Sequence, residues 1–371
     1  MGRFFSVAAL ASLLSIVSAQ TSSSCNPTLK SGCPADPAMG TTLVTDFTKA
    51  NAIPDGWSLV PNTVGTINYN SKGANIVLAK QGDNPTLQSN GYFLYGSFEV
   101  KIIAAPGQGV VTSMILLSDD LDEVDWELLG TNTAQVQSNY FGKGDATTYN
   151  RAAWHAVANP QTTSHTYKVD WSNSTIVWSI DGTPVRTLNY ADAASGTRFP
   201  QTPMRVRIGI WAGGDPSNGE GTIEWAGGLT DYTKAPYTMY LQSVSVTNLS
   251  PGKSYTYSDT SGSSGSIKVD GGSVGAVSAS SVVKASSMTT SLSIASAAPS
   301  NPLTSMASGN ATKATTSPTD KPLAGSGSGS SNASSTVSTG SPQATSNDSG
   351  RREVVFLGAL IASFVSAIIL V

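Results

Sequence analysis

Charge, histidine and cysteine are all scarce in this chain. Charged side chains make up 12% of its 371 residues, and the net charge is −3. No basic stripe with interleaved aromatics occurs, so nucleic acid is not an expected partner. His155 and His165 are the two histidines, too few for a zinc site by themselves. No P-loop pattern and no GxGxxG is found, which leaves nucleotide chemistry and its cofactors without support. Cys25 and Cys33 are the two cysteines, which excludes a small disulfide-rich module. No helical period of useful length appears. Aromatic residues are absent between Tyr257 and Phe356.

What is present is segregated along the chain. Arg3, the apolar run Phe4 to Val17 and the small residues Val17-Ser18-Ala19 read as a secretory signal over residues 1–19. Secretion means an oxidising compartment, so Cys25 and Cys33 can pair across a short loop, with two free thiols as the alternative. Residues 261–350 are dominated by Ser, Thr, Ala and Gly with scattered Pro. Such a segment cannot bury enough apolar surface to fold and reads as an O-glycosylated stalk. Asn310 and Asn332 are glycosylation sequons within it, and Asn173 is one in the part expected to fold. Asn248 is a weaker candidate, with Pro251 after its sequon. Residues 351–371 end in the uncharged run Val354 to Val371, which fits a glycosylphosphatidylinositol (GPI) signal removed on attachment at Asn347. Ser349 and Gly350 are alternative sites, and a transmembrane helix is the alternative reading. The expected location is therefore secreted and GPI-anchored, at the plasma membrane or the cell wall, as a monomer.

Residues 20–260 remain as the folded domain. Phe98–Ile103, Val110–Leu117, Val124–Leu129, Val136–Phe141, His165–Trp171, Ile176–Ile180, Met204–Trp211 and Met239–Thr247 are rich in β-branched and aromatic residues. Asp181-Gly182 reads as a hairpin turn. Many short strands at this spacing predict an all-β sandwich of two antiparallel sheets.

One strand carries the chemistry. In Glu123-Val124-Asp125-Trp126-Glu127-Leu128, strict alternation puts three carboxylates on one face and three apolar side chains on the other. No Lys or Arg lies between Asp119 and Gly142, whereas a solvated charged face would mix signs. Crowding like charges on one face is unfavourable. Retaining glycoside hydrolysis supplies a reason for it: a nucleophile, an acid/base and a third acid that adjusts them. The Cα atoms of Glu123 and Glu127 would lie ~13 Å apart on a straight strand. The side chains must therefore lean together to reach the ~5–5.5 Å that a retaining pair needs. Asp119, Asp120 and Asp122 just before could offer oxygen ligands to Ca²⁺, but three Asp in a loop are more often solvated. No metal or other cofactor is expected.

Two further strands bear on binding. Period 2 in Met204 to Trp211 turns Val206, Ile208 and Ile210 inward and Arg205, Arg207, Gly209 and Trp211 to the other face. Gly209 leaves room for a sugar, and Trp211 offers it an apolar plate. In Val136 to Phe141, Gln137, Asn139 and Phe141 share a face, and the amide pair Gln137 and Asn139 could bind sugar hydroxyls.

The stretch Asp122 to Gly130, followed by Gln137-Ser138-Asn139-Tyr140-Phe141, resembles the active site of glycoside hydrolase family 16. More closely, the chain resembles the fungal Crh cell-wall transglycosylases. Further matches are Cys25-Asn26-Pro27, Tyr95-Gly96-Ser97-Phe98-Glu99, Trp178-Ser179-Ile180-Asp181-Gly182, Trp211-Ala212-Gly213-Gly214 and Gly221 to Gly228, which contains Trp225. The resemblance implies a concanavalin-like β-jelly-roll with a concave cleft. It implies Glu123 as nucleophile, Asp125 as assisting acid and Glu127 as acid/base. Gln137, Asn139, Tyr140, Arg207, Trp211 and Trp225 become the expected sugar contacts, although period 2 sets Tyr140 opposite Gln137 and Asn139. The implied substrates are polysaccharides, with chitin as donor and β-glucan or chitin as acceptor. Asn150-Arg151-Ala152 departs from an expected Asp-Arg-Gly, and Ser263-Ser264-Gly265 stands where relatives often have an aromatic. A plain glucanase or chitinase of the same fold is the alternative enzyme. A GPI-anchored lectin is the alternative from another class, since fold alone does not fix function.

Overall fold

The computed structural model describes residues 23–277. The segment expected to be a signal peptide, most of the expected stalk, Asn310, Asn332, Asn347 and the apolar C-terminal run lie outside the described residues. Among the described residues no helix is long and apolar enough to cross a membrane.

Two antiparallel sheets form the sandwich. The seven-stranded sheet has the spatial order β11 (Ala153–Ala156), β10 (Gln135–Phe141), β9 (Glu123–Leu129), β8 (Val110–Ser118), β15 (Met204–Ala212), β6 (Thr86–Ser89) and β3 (Trp57–Leu59). The eight-stranded sheet runs β14 (Thr183–Asn189), β13 (Thr175–Ile180), β12 (His165–Trp171), β7 (Gly96–Ile103), β16 (Tyr237–Asn248), β5 (Gly73–Leu78) and β4 (Thr66–Asn70), with β2 (Thr42–Asp46) also on β16. Sequence neighbours β9 and β10 pair as a hairpin, but β8 pairs with the distant β15 as well. A small third sheet joins β1 (Asp36–Pro37), β17 (Ser254–Tyr257) and β18 (Ile267–Val269). The fold therefore runs past residue 260: the chain expected to begin the stalk there returns to pair β18 with β17. Ile267 is buried, and it supplies the apolar burial that the Ser- and Gly-rich sequence around it conceals.

The eight strands expected from the sequence are present, with ends moved by no more than two residues. Asp181 and Gly182 both take positive φ, as a two-residue hairpin turn requires. Strands β2 to β6 were not expected. Their side chains are mixed in polarity, and apart from the β4–β5 hairpin their partners are far away in sequence. A six-residue helix, α1 (Glu220–Trp225), is likewise too short to show a period.

Alternation on β9 fixes which way the acids point. Val124, Trp126 and Leu128 are buried between the sheets. The Trp126 ring packs against Tyr167 at 5.5 Å, and its indole N–H donates to the Lys168 carbonyl at 3.3 Å. From the opposite sheet, the Trp178 indole donates to the Asp125 carbonyl at 3.2 Å. These two tryptophans tie β9 to the sheet behind it. Cys25 and Cys33 form a disulfide at the N-terminal edge. Asn173 is exposed in the β12–β13 turn. Asn248 is fully buried, its amide spent on the Met39 carbonyl and the Tyr255 hydroxyl, and so has no surface to offer a glycan.

Because Trp126 fills the space under the acids, Trp126→Ala should cost about 3–5 kcal/mol of stability. Denaturant unfolding would show this as a lowered midpoint with an unchanged slope.

Candidate active site

Glu123, Asp125 and Glu127 face away from the core on β9, an interior strand of the seven-stranded sheet. An outer sheet face is normally wet, yet Glu123 is 9% exposed and Asp125 2%. The acids therefore lie on the floor of a recess. Glu127 is the least buried of the three.

Register places their neighbours in rows across the sheet. Glu123 stands between Leu117 and Phe141, Asp125 between Ile115 and Asn139, and Glu127 between Ser113 and Gln137. Arg207 and Gln88 extend the Asp125 row, and Gly209 and Thr86 extend the Glu127 row. Past Glu127, Trp211 stacks on Trp225 of α1 with ring centres 6.1 Å apart. The Trp211 indole donates to Ser113 Oγ at 3.0 Å, and the Trp225 indole to Gln137 Oε1 at 3.3 Å. The two indoles thus wall the recess and hold the residues on either side of the acid/base candidate.

Protonation follows from burial. Loss of hydration pushes all three carboxyls up, because the charged form is the one that water stabilises best. Glu127 is pushed up to about 8, by burial first and by the nearby Asp125 second, with a hydrogen bond to Ser113 opposing. Asp125 rises well above the carboxylate range, through burial and then through Glu123. Two ionised carboxylates offer each other only acceptors, so Asp125 and Glu123 form a hydrogen bond only when one is protonated. Asp125 is the natural holder of that proton: its oxygens are buried with no other hydrogen-bond partner. Glu123 is likewise pushed up to about 8, by burial first, with Asp125 as donor and the positive charge of Arg207 opposing and the nearby Glu127 adding to it. The arrangement can therefore present a carboxylate at Glu123 beside a carboxylic acid at Glu127, the pairing that double displacement at an anomeric carbon requires.

Of the expected sugar contacts, Gln137, Asn139, Arg207, Trp211 and Trp225 border this recess. Tyr140 does not. It pairs with Val124, faces the core side and lies under the Arg186 guanidinium at 5.6 Å. Its expected role is corrected by the pleat, which sends neighbouring residues to opposite faces. Three residues escaped the sequence reading. Ser113 could have been noticed as a hydroxyl in the apolar run of β8. Gln88 lies on a strand that was not anticipated, and its buried Oε1 has no hydrogen-bond partner. Trp154 pairs directly with Gln137.

The three Asp before β9 are arranged neither as a solvated loop nor around a metal ion. Asp120 and Asp122 are fully buried. Lys143 Nζ binds Asp122 at 2.7 and 2.8 Å and approaches Asp120 at 3.5 Å. Thr202 donates to both, and the Gln201 N–H donates to Asp122 at 2.8 Å. Asp119 accepts from the Tyr92 hydroxyl at 2.7 Å. Lys143 supplies the positive charge that the Ca²⁺ reading had assigned to a metal. Among the described residues no cluster of His, Cys, Asp and Glu could hold one.

Comparison with known proteins agrees with this geometry. Residues 58–227 match the profile of glycosyl hydrolases family 16. Crh-like protein 5 of Aspergillus fumigatus is 57% identical over 268 residues, 72% of this chain and 67% of the relative. Congo red hypersensitive protein 1 of Saccharomyces cerevisiae is 48% identical over 251 residues, 68% of this chain and 48% of the relative. The chain thus spans about half to two thirds of the length of these two relatives. A solved structure described as Crh5 transglycosylase in complex with NAG superposes with a TM-score of 0.63 at 57% identity, covering 66% of this chain and all of that one. The acid strand, the sandwich and these similarities have one reading: the chain belongs to glycosyl hydrolase family 16, among its fungal Crh-like members.

Proposed function

We propose that this protein is a retaining transglycosylase of the fungal cell wall. The observation that carries the reading is the buried acid row of β9, with the positive charge of Arg207 near Glu123 and with Ser113 and Gln137 flanking Glu127. Glu123 attacks the anomeric carbon of a β-linked glycan while the glycosidic C–O bond breaks, and the proton of Glu127 goes to the leaving oxygen. Asp125 keeps its proton between the two and steadies Glu123. In the second step Glu127, now a carboxylate, takes the proton of an incoming hydroxyl, and that oxygen displaces Glu123 from the anomeric carbon. A sugar hydroxyl gives transfer and water gives hydrolysis. The similarity to a transglycosylase favours transfer, and the NAG bound to that relative favours chitin, a polymer of that sugar, as donor. A β-glucan or a second chitin chain is the acceptor. Arg207, Asn139, Gln137, Trp211 and Trp225 are the proposed sugar contacts.

The remaining parts of the chain fit a surface enzyme. We propose that residues 1–19 direct secretion, that the Ser/Thr-rich segment beyond the folded domain carries glycans, with N-linked sites at Asn173, Asn310 and Asn332, and that Asn347 receives the GPI anchor. The domain acts as a monomer.

The deciding experiment incubates the secreted protein with chitin and a fluorescent β-glucan oligosaccharide. Labelled hybrid chains are the expected product; release of shortened sugars alone would leave a plain hydrolase.

Residue roles separate by chemistry. Glu123→Gln should lose at least ~10³-fold in kcat and keep its oligosaccharide binding, because the recess is unchanged. Glu127→Ala, given a substrate with an activated leaving group, should form the glycosyl-enzyme and stall. Azide should then release a β-glycosyl azide, because it needs no base. An α-azide product would exchange the two roles.

The raised pKa of Glu127 sets a direction with pH. A group pushed up to about 8 is protonated at neutral pH and loses that proton as the medium becomes more alkaline. The kcat/KM for a natural glycan should therefore fall above about pH 8. That fall should be missing for a substrate whose leaving group needs no proton. An alkaline limb common to both substrates would mean that another group controls it.

A further inference from the structure

We propose that Trp154 is the platform on which the acceptor sugar stacks; the inference rests on the transglycosylase reading above. Trp154 lies on edge strand β11 and is 40% exposed. It makes no hydrogen bond or ring contact among the described residues. A lone exposed aromatic is ordinary, but this one occupies a defined place in the register. It pairs with Gln137, which pairs with Glu127, so all three side chains point to the same side of the sheet. Two strand spacings put it ~10 Å from the acid/base strand, beyond the sugar that reacts.

Proton transfer fixes which sugar that row serves. Glu127 must lie within hydrogen-bond reach of both the leaving oxygen and the entering hydroxyl. The ring that carries the entering hydroxyl therefore sits along the Glu127 row. Toward β15 that row continues through Ser113 and Gly209, which offer no ring face. Toward β11 it ends in Trp154. Trp211 and Trp225 stand one row further along the strands and are occupied with Ser113 and Gln137. An indole face stacks on the apolar face of a pyranose and sheds water there, which favours a sugar over water as the second nucleophile.

The approach to Trp154 is braced. Arg151 donates to the Tyr140 carbonyl at 3.1 Å and to the Asp145 and Thr148 carbonyls at 2.7 Å, and Arg186 donates to the Arg151 carbonyl at 2.7 Å. The indole is thus presented from a fixed edge.

The test compares wild type with Trp154→Ala and Trp154→Tyr at saturating chitin donor, varying a labelled β-glucan oligosaccharide. In Trp154→Ala the half-saturating acceptor concentration should rise about tenfold, with a smaller change in rate at saturation, and Trp154→Tyr should recover most of the loss. In parallel, calorimetry measures binding of the same oligosaccharide to Glu123→Gln with and without Trp154→Ala. Weaker binding in the double variant supports the platform even if no hybrid forms, a result that would sink only the transfer reading. Unchanged half-saturation, unchanged binding, or a loss that Tyr does not recover overturns the proposal.

Discussion

Three carboxyl groups share one strand face with very little water, and the rest of the site is arranged around that burden. A carboxylate withdrawn from water is costly unless charge or hydrogen bonds replace its hydration. Here the replacements are few and specific. Asp125, itself raised by burial, stands beside Glu123, Arg207 contributes positive charge, and Ser113 donates to Glu127. Burial raises Glu127 with only the Ser113 hydrogen bond to oppose it. The proposed division of roles between two groups of the same type rests on that difference in surroundings.

The sandwich supplies the rigidity that this balance needs. Trp126 and Trp178 anchor β9 through ring packing and through indole hydrogen bonds to backbone carbonyls, leaving the strand little freedom to shift. At the start of β9 the Lys143–Asp122 pair, with Thr202 and Gln201, ties the turn before Glu123 to the segments after β10 and before β15. Such a pair adds little net stability but makes other arrangements expensive, since separating it would strand a buried charge. At the other end, Trp211 and Trp225 fix Ser113 and Gln137 on either side of Glu127. The acids are held from behind, from the nucleophile end and from the acid/base end.

Transfer in place of hydrolysis needs one thing more: a surface that keeps a sugar hydroxyl where water would otherwise attack. The acid row provides none. The flank toward β11 does, because Trp154 stands in the row of the group that must deprotonate the acceptor. Chemistry and acceptor choice then reside on different strands of one sheet, β9 and β11, linked through Gln137 on β10.

Much of this was legible in the sequence. Alternation over Glu123 to Leu128 fixed the direction of every side chain on β9, because the pleat permits only two faces. The same rule turned Arg207 and Trp211 toward the recess and set Tyr140 against the core, where the motif resemblance alone had misplaced it. What alternation could not decide was which strands would be neighbours. β8 lies between β9 and β15, and no local pattern announces the pairing of Ser118 with Met204, 86 residues further on. Ser113, Gln88 and Trp154 are ordinary residues in sequence and reach the acids only through cross-strand register. The protonation states were equally hidden. Asp119, Asp120 and Asp122 look in sequence like solvated acids, yet two are buried on Lys143. Glu123 and Glu127 look alike, and only the fold brings Arg207 near the first and Ser113 beside the second. The sequence determined the acids, their face and the sandwich through local period. Tertiary structure decided their charges and their neighbours, because hydration and cross-strand contacts exist only once distant strands have met.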